Sequence, residues 1–257
     1  MGRSVQSVQN DSTPALRPMK PWHEACKVNR RQILFVESKG ASVMSAAQLS
    51  ISPYNAGAQE LPGHWPQELL RYGNVCRFER HAVLYHQGSY STHVHLLLSG
   101  KVLRACQTMG GGESILEVHG CGDLLGLTAF LDGKSHPDSV RVLSGGTALT
   151  MPIELFRRFL AMNPGAQSIL DSQLAVRQRH DSLLAVALAN YSVEDRVRLL
   201  LCDLAARHGI HGDSRGTMLN LGLTRAEIAS MVGACLETVI RNLNRLRDRD
   251  LLSFERR

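Results

Sequence analysis

The sequence lacks paired cysteines and long apolar runs, and both absences exclude classes of protein. No two cysteines are spaced as CxxC, so neither a zinc ribbon nor a clustered iron–sulfur site is indicated. No apolar run approaches the length of a bilayer span, and the polar N-terminus lacks the apolar core of a signal peptide. We therefore expect a cytosolic protein with no membrane partner, whose cysteines are reduced and mostly buried. The cysteines are Cys26, Cys76, Cys106, Cys121, Cys202 and Cys235.

Lysine is absent after Lys134, so apart from histidine every basic side chain in the C-terminal part is arginine. The formal net charge is +6 and the isoelectric point is near 9.2. A weak basic excess is usual for a solvated surface. Arginine, however, binds guanine or phosphate through two parallel hydrogen bonds, which lysine does not. The charge pattern therefore favours a polyanionic partner only mildly.

Glycines recur roughly every ten to twelve residues after Phe78, which is the spacing expected of short strands in a sandwich or barrel. This pattern predicts a β-roll or jelly roll. The strand-like runs between the glycines lie at residues 82–86, 94–98, 102–106, 114–118, 140–143 and 148–151. Val94, Leu96 and Leu98 are the expected inward set, which turns His93 and His95 outward.

Helices are predicted after the β-roll. One spans 152–161, and Asn163 with Pro164 begins a longer one that meets no breaker before Tyr191. At 1.5 Å per residue this helix is about 40 Å long. Its leucine face can pack against its own β-roll or pair with a second copy, and the length favours a homodimer. The leucines of that face are Leu170, Leu174, Leu184 and Leu188.

Two further helix starts are marked by capping boxes, Ser192 with Asp195 and Thr224 with Glu227. The first helix ends at Gly209, and a short strand is expected at 217–221. In the second helix Ala226, Ile228, Ala229 and Val232 are the expected inward residues.

The segment IASMVGACLETVIRNLNRL reads as two helices joined at Gly233, which is the spacing of a helix-turn-helix. Val239, Leu243 and Leu246 form the core face of the second helix. Arg241, four residues after Glu237, can address guanine while Glu237 addresses cytosine. An ordinary helical hairpin has the same spacing, so the pattern alone leaves both interpretations open.

LTRAEIASMVGACLETVIRNLNRLRDRDLL resembles the winged helix-turn-helix of the Crp/Fnr family of bacterial transcription regulators. LYHQG, LLLSGKV and GDLLGLTAFL resemble that family's β-roll landmarks in the same order, so the resemblance covers about Arg77 to Leu252. It implies an α+β protein with a cyclic-nucleotide-binding-like β-roll, a long dimerisation helix and a C-terminal winged helix-turn-helix. Residues 1–60 have no sustained periodicity and contain Ser, Gln, Pro and Gly throughout, so we expect a poorly ordered extension with one apolar element at 33–36. The segments that follow are the β-roll (61–162), the dimerisation helix (163–190) and the DNA-binding domain (191–257).

The effector region departs from members that bind cyclic AMP. Those members hold the ribose with a Gly-Glu pair, which here reads Gly126-Leu127, and the phosphate with an Arg-Ser pair, where this chain has His-Pro-Asp138-Ser139. Leucine cannot accept a hydroxyl hydrogen, and aspartate repels phosphate. We therefore expect a small-molecule or redox signal other than cyclic AMP. The pocket candidates are Gly126, Leu127, Thr128 and Ser139.

The second helix of the motif has Leu236 before Glu237, which resembles the Fnr branch and implies a TTGAT-like half-site. The oxygen sensor's N-terminal cysteine cluster is absent, because Cys26 stands alone. Glu237 and Arg241 are the expected base readers, and Ile240 is a candidate contact to a thymine methyl group. The wing is expected to be short, which affects phosphate contacts more than base selection. The full DNA-contacting set is Thr224, Arg225, Leu236, Glu237, Ile240, Arg241, Asn244 and Arg245.

Four alternatives remain at this stage. His93 and His95 resemble a cupin metal pair, but no glutamate follows near Ser99, so a metalloenzyme is not favoured and no cofactor is expected. Haem is a second alternative, with candidate ligands His81, His86, His119 and His136. Cys235, at the start of the reading helix, is a candidate redox switch. The winged helix could also bind protein instead of DNA; an activator would in addition contact RNA polymerase.

Overall fold

A computed structural model of the chain describes residues 42–44, 68–211, 217–249 and 251–252. The apolar element expected at 33–36 and the residues that follow Leu252 lie outside the described residues. Within these ranges, no helix is both long enough and apolar enough to cross a membrane.

The chain has an α+β arrangement, in which most of the strands come before the long helices. In chain order the strands are β1 (Ser42–Met44), β2 (Asn74–Phe78), β3 (Val83–Tyr85), β4 (His93–Gln107), β5 (Glu113–His119), β6 (Leu124–Leu125), β7 (Ser139–Pro152), β8 (Ile210–His211) and β9 (Thr217–Leu219). The helices are α1 (Leu127–Asp132), α2 (Ile153–Met162), α3 (Pro164–Asn190), α4 (Val193–His208), α5 (Arg225–Val232) and α6 (Leu236–Asp248).

The β-roll is an antiparallel sheet with the strand order β2-β7-β4-β5, in which β3 also pairs with β7 and β6 with β4. The predicted β-roll is thus confirmed, but two of its predicted boundaries are wrong. The segments 94–98 and 102–106 form one strand, β4, and 140–143 and 148–151 form another, β7. Register shifts between β4 and β7 at Ser99 and Lys101 absorb the irregularity that the glycines introduce. Strand β2 was not anticipated.

A second, smaller sheet has the strand order β1-β9-β8, and β1 pairs with β9 in antiparallel register from Ser42–Leu219 to Met44–Thr217. Strand β1 belongs to the extension that the sequence predicted to be poorly ordered. That prediction does not hold for these three residues, whose backbone joins the sheet next to the helix-turn-helix.

Three apolar clusters organise the part of the chain that the structure describes. Two lie in the β-roll: one includes Phe156 and Phe159 of α2 and Leu170 of α3, and the next includes Leu97 and Val142. The third contains Ile115 and Val118 of β5 together with residues of the C-terminal helices. This third cluster therefore joins the β-roll directly to the segment that carries the helix-turn-helix.

The long helix α3 divides its leucines between two environments. Leu170 is 1% exposed and Leu174 is partly buried, and both pack in the β-roll core. Leu188 is 45% exposed near the other end. For Leu170 and Leu174 the alternative, packing against the protomer's own β-roll, is the one observed, because the first turns of α3 lie on that sheet.

Helix caps follow the sequence in most places. Ser192 Oγ accepts a hydrogen bond from the Asp195 backbone N–H, and α4 ends before Gly209 as predicted. Asn163 precedes α3, but its side chain donates to the Phe159 carbonyl oxygen of the previous helix and does not cap α3. Ala226 is exposed, contrary to its expected inward position, since it lies on the outer side of α5.

The prediction that the cysteines are mostly buried is wrong for the described residues. Cys76, Cys121 and Cys235 are exposed, while Cys106 and Cys202 are half-buried. All five are free thiols, as expected. Cys26 lies outside the described residues.

Candidate functional site

The helix-turn-helix is fixed by its cap and by its turn. Thr224 Oγ1 accepts a hydrogen bond from the Glu227 backbone N–H, and a Glu227 carboxylate oxygen accepts one from the Thr224 backbone N–H. Gly233 has a φ of 60°, a left-handed conformation that glycine adopts without strain. Its N–H donates to the Ser230 carbonyl oxygen, and Ala234 N–H donates to the Ala229 carbonyl oxygen. The predicted capping box and turn are both confirmed.

Two neighbouring elements hold this turn in place. Arg196 of α4 donates hydrogen bonds to the Val232 carbonyl oxygen at 2.6 Å and to the Gly233 carbonyl oxygen at 3.3 Å. These are carbonyl groups at the end of α5, where a helix leaves acceptors without partners and carries a partial negative charge. A Cβ atom on Gly233 would lie 2.8 Å from Leu188 Cδ2, so the end of α3 also packs against the turn.

Helix α6 buries one face and exposes another. Val239, Leu243 and Leu246 are at most 2% exposed, as the heptad-like spacing predicted. On the outer face Glu237, Arg241 and Arg245 are exposed and follow one another at intervals of four residues, so they form one stripe along the helix.

The polar groups of this outer stripe are unpaired among the described residues. Among the described residues, the side chains of Glu237, Arg241 and Arg245 have no hydrogen-bond or ion-pair partner. Other arginines nearby are engaged, since Arg247 pairs with Asp248 and Arg249 pairs with Glu194. The stripe therefore presents donors and acceptors with nothing in the protomer to satisfy them.

The remaining predicted contact residues surround this stripe. Leu236 is 37% exposed, while Ile240 and Asn244 are half-buried beside it. Thr224 is exposed at the start of α5, and Arg225 next to it is half-buried. Arg225 has an interaction within the protein, so it is the least available member of the predicted set.

The start of α6 carries the cysteine that the sequence singled out. Cys235 stands at the N-cap position, but its thiol makes no hydrogen bond to the backbone of the first turn. Its sulfur lies 3.0 Å from Thr238 Oγ1 instead.

The β-roll contains a small polar cavity at the start of α1. Gly126 has a φ of 82° and precedes this helix. The free volume of the cavity is about 10 Å³, room for about one water molecule. Three of the four predicted pocket residues line it, namely Gly126, Leu127 and Thr128. Ser139 does not line the cavity, and its hydroxyl accepts a hydrogen bond from the Gln87 backbone N–H at 2.8 Å.

A buried guanidinium occupies one wall of this cavity. Arg104 is 8% exposed and forms ion pairs with three carboxylates: Asp138 at 3.2 Å, Asp181 at 3.1 Å and Glu117 at 3.3 Å. Burial raises the pKa of Glu117, but the charges of His119 and Arg207 act in the opposite direction, and the net pKa lies well below the usual value. Glu117 is therefore ionised near neutral pH, and the ion pair with Arg104 is fully formed.

Stacked rings form another wall. The Tyr85 and His136 rings are parallel within 12°, with centroids 3.8 Å apart. Burial lowers the pKa of His136, so its ring is neutral near pH 7. A Cβ atom on Gly126 would lie 3.4 Å from His136 Cε1, which shows how closely the imidazole covers the start of α1.

Comparison with known proteins agrees with this architecture. The cyclic nucleotide-binding domain family matches residues 75–163, and the Crp-like helix-turn-helix domain family matches residues 195–257. Together the two matches cover more than half of the chain. The chain belongs to the Crp/Fnr family of transcription regulators.

Similar curated members of the family come from both of its main branches. The cAMP-activated global transcriptional regulator CRP of Salmonella typhimurium is 28% identical over 72% of this chain and 87% of its own length. The transcriptional activator protein Anr of Pseudomonas protegens is 26% identical over 67% of this chain and 70% of its own. These identities do not separate the two branches, so a closer relation to the Fnr branch stays a prediction.

Solved structures of the Crp/Fnr type share the fold. The c-di-GMP responsive regulator CLP of Xanthomonas campestris has a TM-score of 0.62 at 22% identity, covering 71% of this chain and 90% of its own. FixK2 of Bradyrhizobium japonicum has a TM-score of 0.63 at 21% identity, covering 71% and 88%.

The four histidines considered as haem ligands lie in different surroundings. His81 and His86 are exposed, whereas His119 and His136 are buried and already engaged by carboxylates or by Tyr85. Within the described ranges, no group of three metal-ligating side chains is placed to hold a metal ion.

The sequence pattern missed most of the charged cluster behind the pocket. Arg104, Glu117 and Asp181 lie on β4, β5 and α3, and no local motif links them. The available signal was a charged residue at an inward position of a strand: Arg104 follows Val102 at the same face of an apolar run.

Proposed function

We propose that this DNA-binding transcription regulator acts as a homodimer on a palindromic, TTGAT-like promoter site. The observation that carries the proposal is the stripe of Glu237, Arg241 and Arg245, which is exposed and has no partner among the described residues. In a helix-turn-helix the first residues of the second helix enter the major groove. Arg241 is then the guanine reader and Glu237 accepts from cytosine, while Ile240 and Leu236 supply apolar contacts.

Phosphate contacts are assigned to residues that flank the stripe. Thr224, Asn244 and Arg245 are the proposed phosphate contacts because they lie beside the reading residues, with Arg225 as a positioning residue. These contacts make binding salt-dependent, since each neutralised phosphate releases a counterion.

The dimer contact is assigned to the second half of α3. Leu170 and Leu174 pack in the β-roll, but Val186 is 47% exposed and Leu188 is 45% exposed. Exposed apolar side chains near the end of a helix of 27 residues support pairing with the same helix of a second copy.

The signal is proposed to differ from cyclic AMP. Leu127 is fully buried in the β-roll core and offers no acceptor for a ribose hydroxyl. Asp138 lies at the cavity, and its carboxylate is held by Arg104, where a phosphate would be repelled. We therefore propose that the regulator responds to a signal other than cyclic AMP. We also propose that it is cytoplasmic and is not an enzyme.

Selection of bound sites from random duplex DNA tests this proposal most broadly. Enrichment of inverted TTGAT-like repeats, with affinity that falls steeply with salt, is the expected result. No enrichment together with a flat salt response would favour a protein-binding winged helix. Calorimetry with cyclic AMP is expected to give no binding heat, and micromolar binding would contradict the assignment of the signal.

A further inference from the structure

One buried carboxylate is shared by two arginines that belong to different domains. Glu117 is 6% exposed on β5. Its Oε2 accepts from Arg104 Nη2 at 3.3 Å, and its Oε1 accepts from Arg207 Nη1 at 2.8 Å. Arg104 lies on β4 and lines the β-roll cavity, whereas Arg207 lies on α4, next to the helix-turn-helix.

The three residues Arg104, Glu117 and Arg207 form a chain of ion pairs, and its Arg104 end lines the cavity. Arg104 also pairs with Asp138, which lines the cavity, and with Asp181 of α3. Its Nε atom is buried and has no hydrogen-bond partner among the described residues. A change in the charge at Asp138 therefore alters a guanidinium that is not fully satisfied, and buried charges respond strongly to the loss of a partner.

The Arg207 end of the chain of ion pairs lies on α4, the first helix of the DNA-binding domain. Arg207 holds Asp203 of α4 through Nε at 3.1 Å and 3.0 Å, and it also donates to the Val118 carbonyl oxygen at 3.2 Å. Helix α4 carries Arg196, which caps the end of α5 at the turn of the motif. A displacement of Arg207 is thus passed to the helix that positions the helix-turn-helix.

A second route between the same ends is weaker. His180 of α3 lies 3.7 Å from Asp181 and 3.9 Å from Asp203. Both separations are longer than the 3.3 Å and 2.8 Å contacts that Glu117 makes with Arg104 and Arg207, and the attraction between charges falls as their distance grows.

We infer that the Arg104–Glu117–Arg207 chain couples the state of the β-roll cavity to the orientation of the DNA-binding domain. The inference rests on the proposed function, because it names the connection through which a signal in the β-roll reaches the reading helix. A change at the cavity that weakens the pairing of Arg104 with Asp138 shifts Glu117, and Arg207 follows because it shares the same carboxylate.

The test uses Asp138→Asn as a defined change in the cavity and hydrogen exchange of the full-length protein as the readout. In the otherwise unchanged protein, Asp138→Asn is expected to alter amide exchange in α4 by about threefold or more, within the range that members of one ion-pair network show. With Glu117→Gln in place, which keeps an acceptor for Arg207, Asp138→Asn is expected to leave α4 unchanged.

Controls separate this route from others. His180→Gln is expected to preserve the response of α4, and Glu154→Gln, which removes a carboxylate from the exposed pair with Arg157, is expected to change nothing in α4. If Glu117→Gln does not fold, Arg207→Lys replaces it, because lysine keeps the charge but loses the fork. A response of α4 that survives Glu117→Gln or Arg207→Lys, or one confined to the β-roll in all backgrounds, overturns the inference.

The outcome is distinguishable from failure of the proposed function. Hydrogen exchange needs no DNA, so the coupling is measured even if the protein ignores TTGAT-like duplexes. Conversely, an unmodified protein that binds such duplexes, while its α4 does not respond to Asp138→Asn, retains the proposed function and loses the coupling.

Discussion

Arg141 of β7 donates a hydrogen bond to Glu227 Oε1 at 3.2 Å, so the carboxylate that completes the cap of α5 also docks that helix on the β-roll. The contact is reinforced on both sides. Arg141 pairs with Glu113 at 3.3 Å, and Ser230 Oγ donates to the Glu113 carbonyl oxygen and accepts from the Ile115 N–H. Glu227 thus has one oxygen for the local helix start and one for the contact between domains.

Separate substitutions distinguish the two roles of Glu227. Thr224→Ala removes the cap alone and is expected to lower the free energy of unfolding by about 1 kcal/mol. Arg141→Gln removes the ion pairs of Arg141 with Glu227 and Glu113 and is expected to speed amide exchange in α5 while leaving the cap intact. Urea unfolding and hydrogen exchange measure these effects. Equal exchange in α5 for the Arg141 variant and the unmodified protein would show that docking does not depend on this pair.

The turn of the helix-turn-helix is expected to reject a side chain. Gly233→Ala places a Cβ at a φ of 60° and 2.8 Å from Leu188 Cδ2. The conformation alone costs about 1–2 kcal/mol, and displacement of Leu188 adds to it. Gly88→Ala is the matched control, because its φ is 80° and nothing lies within 4 Å of the new Cβ. Urea unfolding should show a larger loss for Gly233→Ala, and equal losses would mean that Leu188 moves without cost.

The start of α6 is expected to improve when its cysteine becomes serine. Cys235 occupies the N-cap without bonding to the backbone of the first turn, whereas serine is among the favoured N-cap residues. Cys235→Ser should raise the free energy of unfolding by about 0.5–1 kcal/mol. The same variant tests the redox alternative: if peroxide sensitivity of DNA binding is unchanged by the substitution, Cys235 is not a switch. A lower stability for the serine variant would contradict the capping argument.

Acid is expected to destabilise the β-roll through His95. Burial lowers the pKa of His95 to about 4, from an ordinary value of 6.5. The unfolded chain therefore binds a proton at this residue between pH 6.5 and pH 4 while the folded chain does not, and stability is lost as the pH falls through 6.5. Between pH 7 and pH 5 the loss is about 2 kcal/mol at most.

The variant His95→Gln measures this contribution. Its stability should fall less between pH 7 and pH 5 than that of the unmodified protein, in urea unfolding at each pH. His86→Gln, at an exposed position, is the control and should keep the full pH dependence. Identical pH profiles for the His95 variant and the unmodified protein would exclude His95 as the source.

The glycines show why the β-roll was predicted correctly as a class but not strand by strand. Glycine in a strand pattern predicts a break, so the sequence predicts two separate strands on either side of Gly145 and Gly146, where the structure has the single strand β7. In the structure a Cβ on Gly146 would lie 2.2 Å from the Ser99 carbonyl oxygen, so the glycine permits a close approach of β4 and β7 within continuous strands. A single sequence does not distinguish these two uses of glycine.

The stripe on α6 is predictable from the sequence, whereas the charged cluster around Glu117 is not. The α6 stripe follows from helical spacing within twelve residues, and its exposure was predictable from the apolar face opposite. The contact from Glu117 to Arg207 spans 90 residues, and its partners are chosen by how the domains pack. Local periodicity carries no information about such pairs.

Binding of Arg241→Ala to DNA tests the central claim most directly. Competition binding is measured on a duplex with inverted TTGAT repeats and on duplexes altered at one base at a time. The substitution should cost about 1–3 kcal/mol on the parent site and should relax selectivity at the guanine position alone. Arg247→Ala is the matched control on the same helix, because Arg247 already pairs with Asp248. A uniform loss of affinity across all duplexes, or no loss, would contradict the assignment of Arg241 as a base reader.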